Sequence, residues 1–140
     1  MKGRILAVDP GEKRIGLAVS DETATIANPL GVVNHTARDA DAKAVSTRAN
    51  ELGVVLIVVG QALDADGNIG PAARKAQRFA DALRIHTSIP ITFWDESGST
   101  KTAQQTRRDM GVSKKKRSGH LDDLAAAIIL QNYLDANYEK

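Results

Sequence analysis

Cysteine is absent from this 140-residue chain. Its absence excludes disulfide bridges, and it also excludes zinc or iron–sulfur centres held by thiolates. A bound metal ion would need oxygen ligands or all three of the histidines that the chain contains. We therefore expect oxygen ligands for any metal ion.

The chain also has few aromatic residues, no long apolar run and only a small net charge. Two Phe, two Tyr and one Trp provide no stacking platform that would indicate single-stranded nucleic acid. No apolar run approaches the roughly 20 residues that span a bilayer, and Met1–Arg4 shows no signal-peptide pattern. We therefore expect a cytoplasmic protein without a membrane partner. The net charge of +2 is too small to attract a polyanion to the molecule as a whole.

The order of apolar segments predicts the fold class. With 42% hydrophobic residues, residues 1–140 should form a single domain with one core. Runs rich in β-branched residues predict strands and helical spacing predicts helices, in the order βββαβαβαα. The predicted strands are 4–9, 14–20, 30–34, 54–59 and 91–95, and the predicted helices are 37–52, 71–84, 99–109 and 120–136. A hairpin followed by βαβ crossovers predicts an α/β protein, with a five-stranded mixed sheet and helices on both faces.

Acidic residues stand where predicted elements end or begin. The first strand ends on Asp9, the fifth ends on Asp95 before Glu96, and the last helix opens with Asp122 and Asp123. Because the first, fourth and fifth strands should be parallel, their carboxyl ends should open on one edge of the sheet. Carboxylates that converge there would suit a divalent cation used in phosphoryl transfer. Each cluster also has a purely structural explanation, in turn chemistry, a loop before a helix or the helix dipole.

Basic residues occur near two of these acidic positions. Lys13 and Arg14 follow Asp9 within a turn and would reach a phosphate bound beside it. A run of four positive charges precedes the last helix, at Lys114, Lys115, Lys116 and Arg117. Such a run would neutralise nucleic-acid phosphates and make binding salt-dependent, although a solvated loop is the commoner role of a charge run.

Four segments resemble the YqgF/RuvX family: AVDPGEKRIGLAVSD, IVVGQALDADGNIG, WDESGST and GVSKKKRSGHLDDLAAAIILQNYLD. Members of this family are Holliday-junction-resolvase-like or pre-16S rRNA nucleases with an RNase H-like fold. The first and last segments are specific together, and the middle two depart from the family pattern. The usual Gly-Leu-Pro-Leu-Asn loop is Gly60–Asp64 with the letters GQALD, and Ser97 and Gly98 replace an arginine and a leucine.

The resemblance implies a metal-dependent endonuclease that hydrolyses phosphodiester bonds in structured nucleic acid. The implied reactions are 5′-end processing of pre-16S rRNA and Holliday junction resolution, so the expected partner is pre-rRNA or branched DNA. Carried over by position, Asp9, Glu96 and Asp122 would be the catalytic residues and would bind one or two Mg²⁺ or Mn²⁺ ions. Asp95 is a fourth candidate ligand. The protein would act as a monomer or a homodimer.

Two other functions stay open. The altered loop at Ser97 and Gly98 would suit an RNA-binding module of the same fold that lacks turnover. The pattern of Asp9 and Gly11 after a strand also occurs in nucleotide-binding domains of the actin and Hsp70 type. Those proteins clamp ATP between two such domains, whereas 140 residues supply one. Metal-dependent cleavage of a branched DNA or a precursor RNA would exclude the first alternative, and tight ATP binding would favour the second.

Overall fold

A computed structural model describes residues 3–95 and 121–137 of the chain. Its strands are β1 (Ile5–Pro10), β2 (Arg14–Ser20), β3 (Ala27–Asn34), β4 (Leu56–Gln61) and β5 (Ile91–Asp95). Its helices are α1 (Arg38–Leu52), α2 (Pro71–His86) and α3 (Leu121–Ala136). The predicted helix 99–109 lies outside the described residues.

The five strands form one sheet in the order β3-β2-β1-β4-β5. Strand β2 is antiparallel to both β1 and β3, whereas β4 is parallel to both β1 and β5. The predicted mixed sheet is therefore confirmed, and the carboxyl ends of β1, β4 and β5 share one edge, as expected for the parallel part of such a sheet.

Side chains that alternate along β1 divide the core into two layers. Leu6 and Val8 pack with α1 and α2, and we call this side the α1/α2 layer. Ile5 and Ala7 pack instead with α3, and we call that side the α3 layer. The apolar stripe of α2 explains its contact with the sheet, since its buried residues are Ala73, Ala76, Phe79, Ala80, Ala82 and Leu83. Helices on both faces were predicted and are confirmed.

Three element boundaries differ from the prediction for local reasons. Strand β3 begins at Ala27, three residues early, because Pro29 lies in an edge strand, where a missing N–H is tolerated. Strand β4 begins only at Leu56, because the Val54 N–H donates back to the Ala49 carbonyl of α1. Helix α2 continues to His86. The predicted end of α1 is confirmed, since Gly53 follows it in the left-handed conformation with φ 66°.

Membrane-spanning helices were not expected. Within residues 3–95 and 121–137, no helix combines the length and the apolar character that crossing a bilayer requires.

Candidate active site

Asp9 lies near the end of β1, the central strand of the sheet, opposite Gly16 of β2. Val8 points into the α1/α2 layer, so the alternation of a strand directs the Asp9 side chain to the α3 side. The residue is half-buried. Strand β2 pairs with the backbone at Asp9 itself, and β4 pairs with β1 up to Val8, so the position is held firmly, as a rigid ligand site requires.

The turn after Asp9 is fixed from two directions. The Gly11 N–H donates to the Arg14 carbonyl at 3.1 Å, and the Lys75 ammonium donates to the Gly11 carbonyl at 3.0 Å. A Cβ at Gly11 would lie 2.3 Å from the Arg14 carbonyl oxygen, so only glycine fits there. The contact from Lys75 was not predicted, because nothing in the sequence links residues 64 positions apart.

The two basic residues of this turn differ in their orientation. Ile15 packs in the α1/α2 layer, so its neighbour Arg14 points to the α3 side, as Asp9 does. Arg14 is exposed and two residues from Gly16, the partner of Asp9 in the ladder. Lys13 is exposed, and its carbonyl accepts a hydrogen bond from the His35 N–H. The strand geometry therefore places Arg14 on the same face as Asp9.

The acidic first turn of α3 belongs to the same layer as Asp9. Helix α3 begins at Leu121 and packs through Ala126 and Leu130 against Ile5 and the other apolar residues of this face. Of the two adjacent acidic residues, the structure describes the backbone of Asp122 and the half-buried side chain of Asp123. Asp9 and the start of α3 thus lie on one face of the sheet.

Asp95 lies at the same edge but points to the other face. Phe93 packs against the α1/α2 layer, whereas Trp94 packs against the α3 layer. The Trp94 ring meets Tyr133 of α3 edge to face, with the ring centroids 5.6 Å apart. Continued alternation directs Asp95, the last residue of β5, to the α1/α2 side. The alternation therefore places Asp95 on the face opposite to that of Asp9.

The remaining predicted site residues are Glu96, the basic run 114–117 and the Asp122 side chain, and all of them lie outside what the structure describes. In the described part of the chain, no three Asp, Glu or His side chains form a group that would hold a metal ion. The carboxylates at the start of α3 and at Asp9 supply oxygen donors only, and these are the ligands that hard divalent cations prefer. The donor chemistry fits Mg²⁺ or Mn²⁺.

Sequence comparisons identify relatives over almost the whole chain. A family model described as "RuvX: Holliday junction resolvase" matches residues 3–136. A protein of Roseiflexus sp. (strain RS-1) is 40% identical over 134 residues, which cover 96% of this chain and 95% of that protein. A protein of Chloroflexus aurantiacus (strain ATCC 29366 / DSM 635 / J-10-fl) is 44% identical over 133 residues, which cover 94% and 86%. Both relatives are named "Putative pre-16S rRNA nuclease".

Solved structures share the fold. The RuvC of T. thermophilus in complex with a Holliday junction substrate aligns with a TM-score of 0.58 and 17% identity, over 96% of each chain. The fowlpox virus Holliday junction resolvase aligns with a TM-score of 0.56 and 16% identity, over 95% of this chain and 99% of that one. The predicted RNase H-like fold is thus confirmed. By the match over residues 3–136 and the relatives at 40% and 44% identity, this chain belongs to the RuvX family of Holliday junction resolvases.

Proposed function

We propose that this chain is a metal-dependent endonuclease that hydrolyses phosphodiester bonds in structured nucleic acid of the cytoplasm. Its substrate would be the 5′ end of pre-16S rRNA or a Holliday junction, the two named by its relatives and its family. The observation that carries the proposal is the position of Asp9. This carboxylate stands near the end of the central strand, on the face covered by a helix whose first turn contains two acidic residues.

The proposed ligands of one or two Mg²⁺ or Mn²⁺ ions are Asp9, Glu96 and Asp122. Bound there, the metal would stabilise charge on the attacking and leaving oxygens of an in-line displacement. We do not include Asp95 in this set, because β5 directs it to the opposite face from Asp9. This orientation also provides a matched control, since Asp95 is an aspartate at the same edge of the sheet.

The other residues of the site would bind and orient the substrate. Arg14 points to the Asp9 face, where its guanidinium would neutralise a phosphate next to the reacting bond. The basic run 114–117 would contact backbone phosphates further along the strand. Gly11 and Lys75 would act indirectly, since their hydrogen bonds fix the turn that follows Asp9.

The test compares Asp9→Asn with Asp95→Asn. The amide keeps the shape of Asp9 but removes the charge that binds the metal, so cleavage should fall at least about 100-fold. Asp95→Asn should cleave at a rate close to that of the parent. Cleavage of a four-way DNA junction and of a pre-16S rRNA fragment would be measured with Mg²⁺, with Mn²⁺ and with chelator, and thermal unfolding would verify that each variant is folded.

Two results would contradict the proposal in different ways. Equal cleavage by the parent and Asp9→Asn would show that the site is elsewhere, and cleavage that persists in chelator would show that no divalent cation is needed. Binding of either substrate without cleavage under any metal condition would instead favour an RNA-binding module. The observation that supports this second function is that Ser97 and Gly98 depart from the family pattern.

A further inference from the structure

A cleft of about 530 Å³ opens behind the turn that follows Asp9, on the α1/α2 side of the sheet edge. Pro10 and Gly11 form one wall, and the start of α1 and the first half of α2 form the others. Since consecutive Cα atoms are about 3.8 Å apart, the Cα of Gly11 lies no more than about 7.6 Å from that of Asp9. The cleft is therefore adjacent to the candidate active site but opens on the opposite face.

Cationic side chains surround this cleft. Arg38 from α1 and Lys75 and Arg78 from α2 contribute three positive charges. The N-terminus of α2 adds its dipole, because its N-cap, Gly70, forms no side-chain hydrogen bond and its first turn contains no acidic residue. These features together favour an anionic ligand.

The single carboxylate among the described residues of the cleft is Asp41, and it is already engaged. Asp41 is buried and accepts hydrogen bonds from the Thr36 N–H and hydroxyl, and it pairs with His35 Nδ1. Burial alone would raise the pKa of Asp41, but the bonds from His35 and Thr36 outweigh it, and the pKa is lowered. Asp41 thus supports the segment that enters α1 and leaves the three cations to face the cleft.

Apolar side chains complete the cleft and limit the class of ligand. Ile15 and Phe79, which are 2% and 5% exposed, lie beneath the cationic rim. The volume is within the roughly 300–1,000 Å³ typical of small-molecule sites. Inorganic phosphate would use the cations and leave the apolar surface empty. A nucleotide would place its phosphate on the rim and its base against the accessible apolar lining. Pro10, Ala37 and Pro71 provide that lining, because Phe79 and Ile15 are almost fully buried.

We propose that this cleft binds a nucleotide phosphate with its base, and that the nucleotide is part of the nucleic-acid strand engaged at Asp9. The inference rests on the proposed function and adds a second subsite to it. A strand that crosses the Pro10–Gly11 turn meets Asp9 on the α3 side and the cleft on the α1/α2 side. Lys75 connects the two, since it lines the cleft and donates to the Gly11 carbonyl. The cleft would thereby hold a nucleotide beside the scissile phosphate.

The test removes two charges from the cleft and, in a control, two charges from elsewhere on the same helices. The first variant is Arg38→Ala with Arg78→Ala, and the control is Arg48→Ala with Arg84→Ala, whose arginines are exposed and do not line the cleft. Both pairs carry Asp9→Asn, so that binding is measured without cleavage. The probes are a labelled four-way DNA junction and a labelled pre-16S rRNA fragment, titrated at several salt concentrations.

The cleft variant should bind both probes about tenfold more weakly than the control pair. Its plot of log affinity against log salt should also be shallower by about 1 for the DNA junction, because the cleft would neutralise one phosphate and each neutralised phosphate contributes about 0.9. Since both pairs remove the same charge, the difference in affinity between them measures the contribution of the cleft. Arg78→Gln alone should weaken binding about threefold, and thermal unfolding should show all variants folded.

Three outcomes separate the alternatives. Equal binding by the cleft variant and the control pair would overturn the proposal. Calorimetric binding of free AMP that the cleft variant abolishes, with junction and RNA binding unchanged, would overturn the assignment to the strand and identify a free nucleotide as the ligand. A parent protein that binds through the cleft but cleaves neither probe would support the cleft while contradicting the proposed nuclease function.

Discussion

The carboxylate of Asp21 holds the loop between β2 and β3 by accepting several hydrogen bonds at once. Asp21 accepts from the Ile26 N–H at 3.0 Å, from the Thr23 hydroxyl and from the Thr25 N–H at 2.8 Å. Together these bonds lower its pKa from 3.8 to about 2, and the bond from Ile26 is the largest cause. The ionised carboxylate thus closes the turn that leads from β2 into β3.

Stability in acid should depend on Asp21. Because its pKa is lower in the folded state than in the unfolded chain, ionisation stabilises the fold above about pH 4, and this contribution is lost as the pH falls towards 2. Asp21→Asn removes the titration, so its melting temperature should fall less than that of the parent between pH 4 and pH 2. Circular dichroism melts across this range would measure the difference. Parallel declines in the two proteins would show that Asp21 does not contribute.

Residue-level chemistry was only partly predictable at the turn after Asp9. The structure shows that the close approach of the Arg14 carbonyl requires glycine at position 11, and this contact depends on the folded turn. The face to which each side chain at this edge points could be predicted, because successive residues of a strand point to opposite faces of the sheet. The hydrogen bond from Lys75 could not be predicted, because it depends on how α2 packs against the hairpin.

At the scale of elements, the side chain of Gln131 on α3 forms hydrogen bonds with the backbone at the beginning of the edge strand β3. Gln131 accepts from the Ala27 N–H at 3.0 Å, and its amide donates to the Thr25 carbonyl at 3.0 Å. These bonds occupy backbone groups at the start of β3. They connect segments more than 100 residues apart, so the sequence does not reveal them.

We expect Gln131→Ala to loosen the beginning of β3 while the rest of the sheet stays protected. Losing the partner of a part-buried N–H should cost about 1–2 kcal/mol locally, and the Ala27 amide should exchange its hydrogen about tenfold faster. Hydrogen exchange followed by NMR would measure this residue by residue. Gln77→Ala on α2 is the control and should leave the Ala27 rate unchanged. An unaltered rate in Gln131→Ala would mean that the ladder to β2 alone protects this amide.

Sequence patterns predicted most elements because local chemistry decides them. Gly53 ends α1, and the β-branched run Val54–Val59 predicted the strand that the structure shows as β4, which is covered on both faces. The start of β3 was predicted too late, because Pro29 looks like a loop residue. Pairing with β2 overrides that local preference, with an irregular register between Leu17 and Ala18.

For the whole molecule, the sheet separates two layers that would have different roles. The α3 layer would carry the acidic set, since Asp9 points towards it and Asp122 lies in the first turn of its helix. The α1/α2 layer forms the larger apolar cluster and contains the basic cleft. The sequence predicted helices on both faces but not which helix covers which face, because that depends on how the crossovers pack.

Replacing one buried leucine in each layer compares the roles of the two layers, because the two replacements should destabilise the protein to a similar extent. Leu130 of α3 and Leu83 of α2 are both 0% exposed and lie in opposite layers. Replacing either one by alanine should cost about 2–5 kcal/mol of unfolding free energy, measured by urea denaturation.

Well below both unfolding midpoints, Leu130→Ala should cleave about tenfold more slowly, because the cavity lets α3 shift and displaces its acidic first turn from Asp9. Leu83→Ala should cleave within about twofold of the parent at saturating substrate, since its cavity lies about 12 Å along α2 from Lys75, which supports the turn after Asp9. Equal losses of activity in the two variants would mean that catalysis does not depend on the α3 layer in particular.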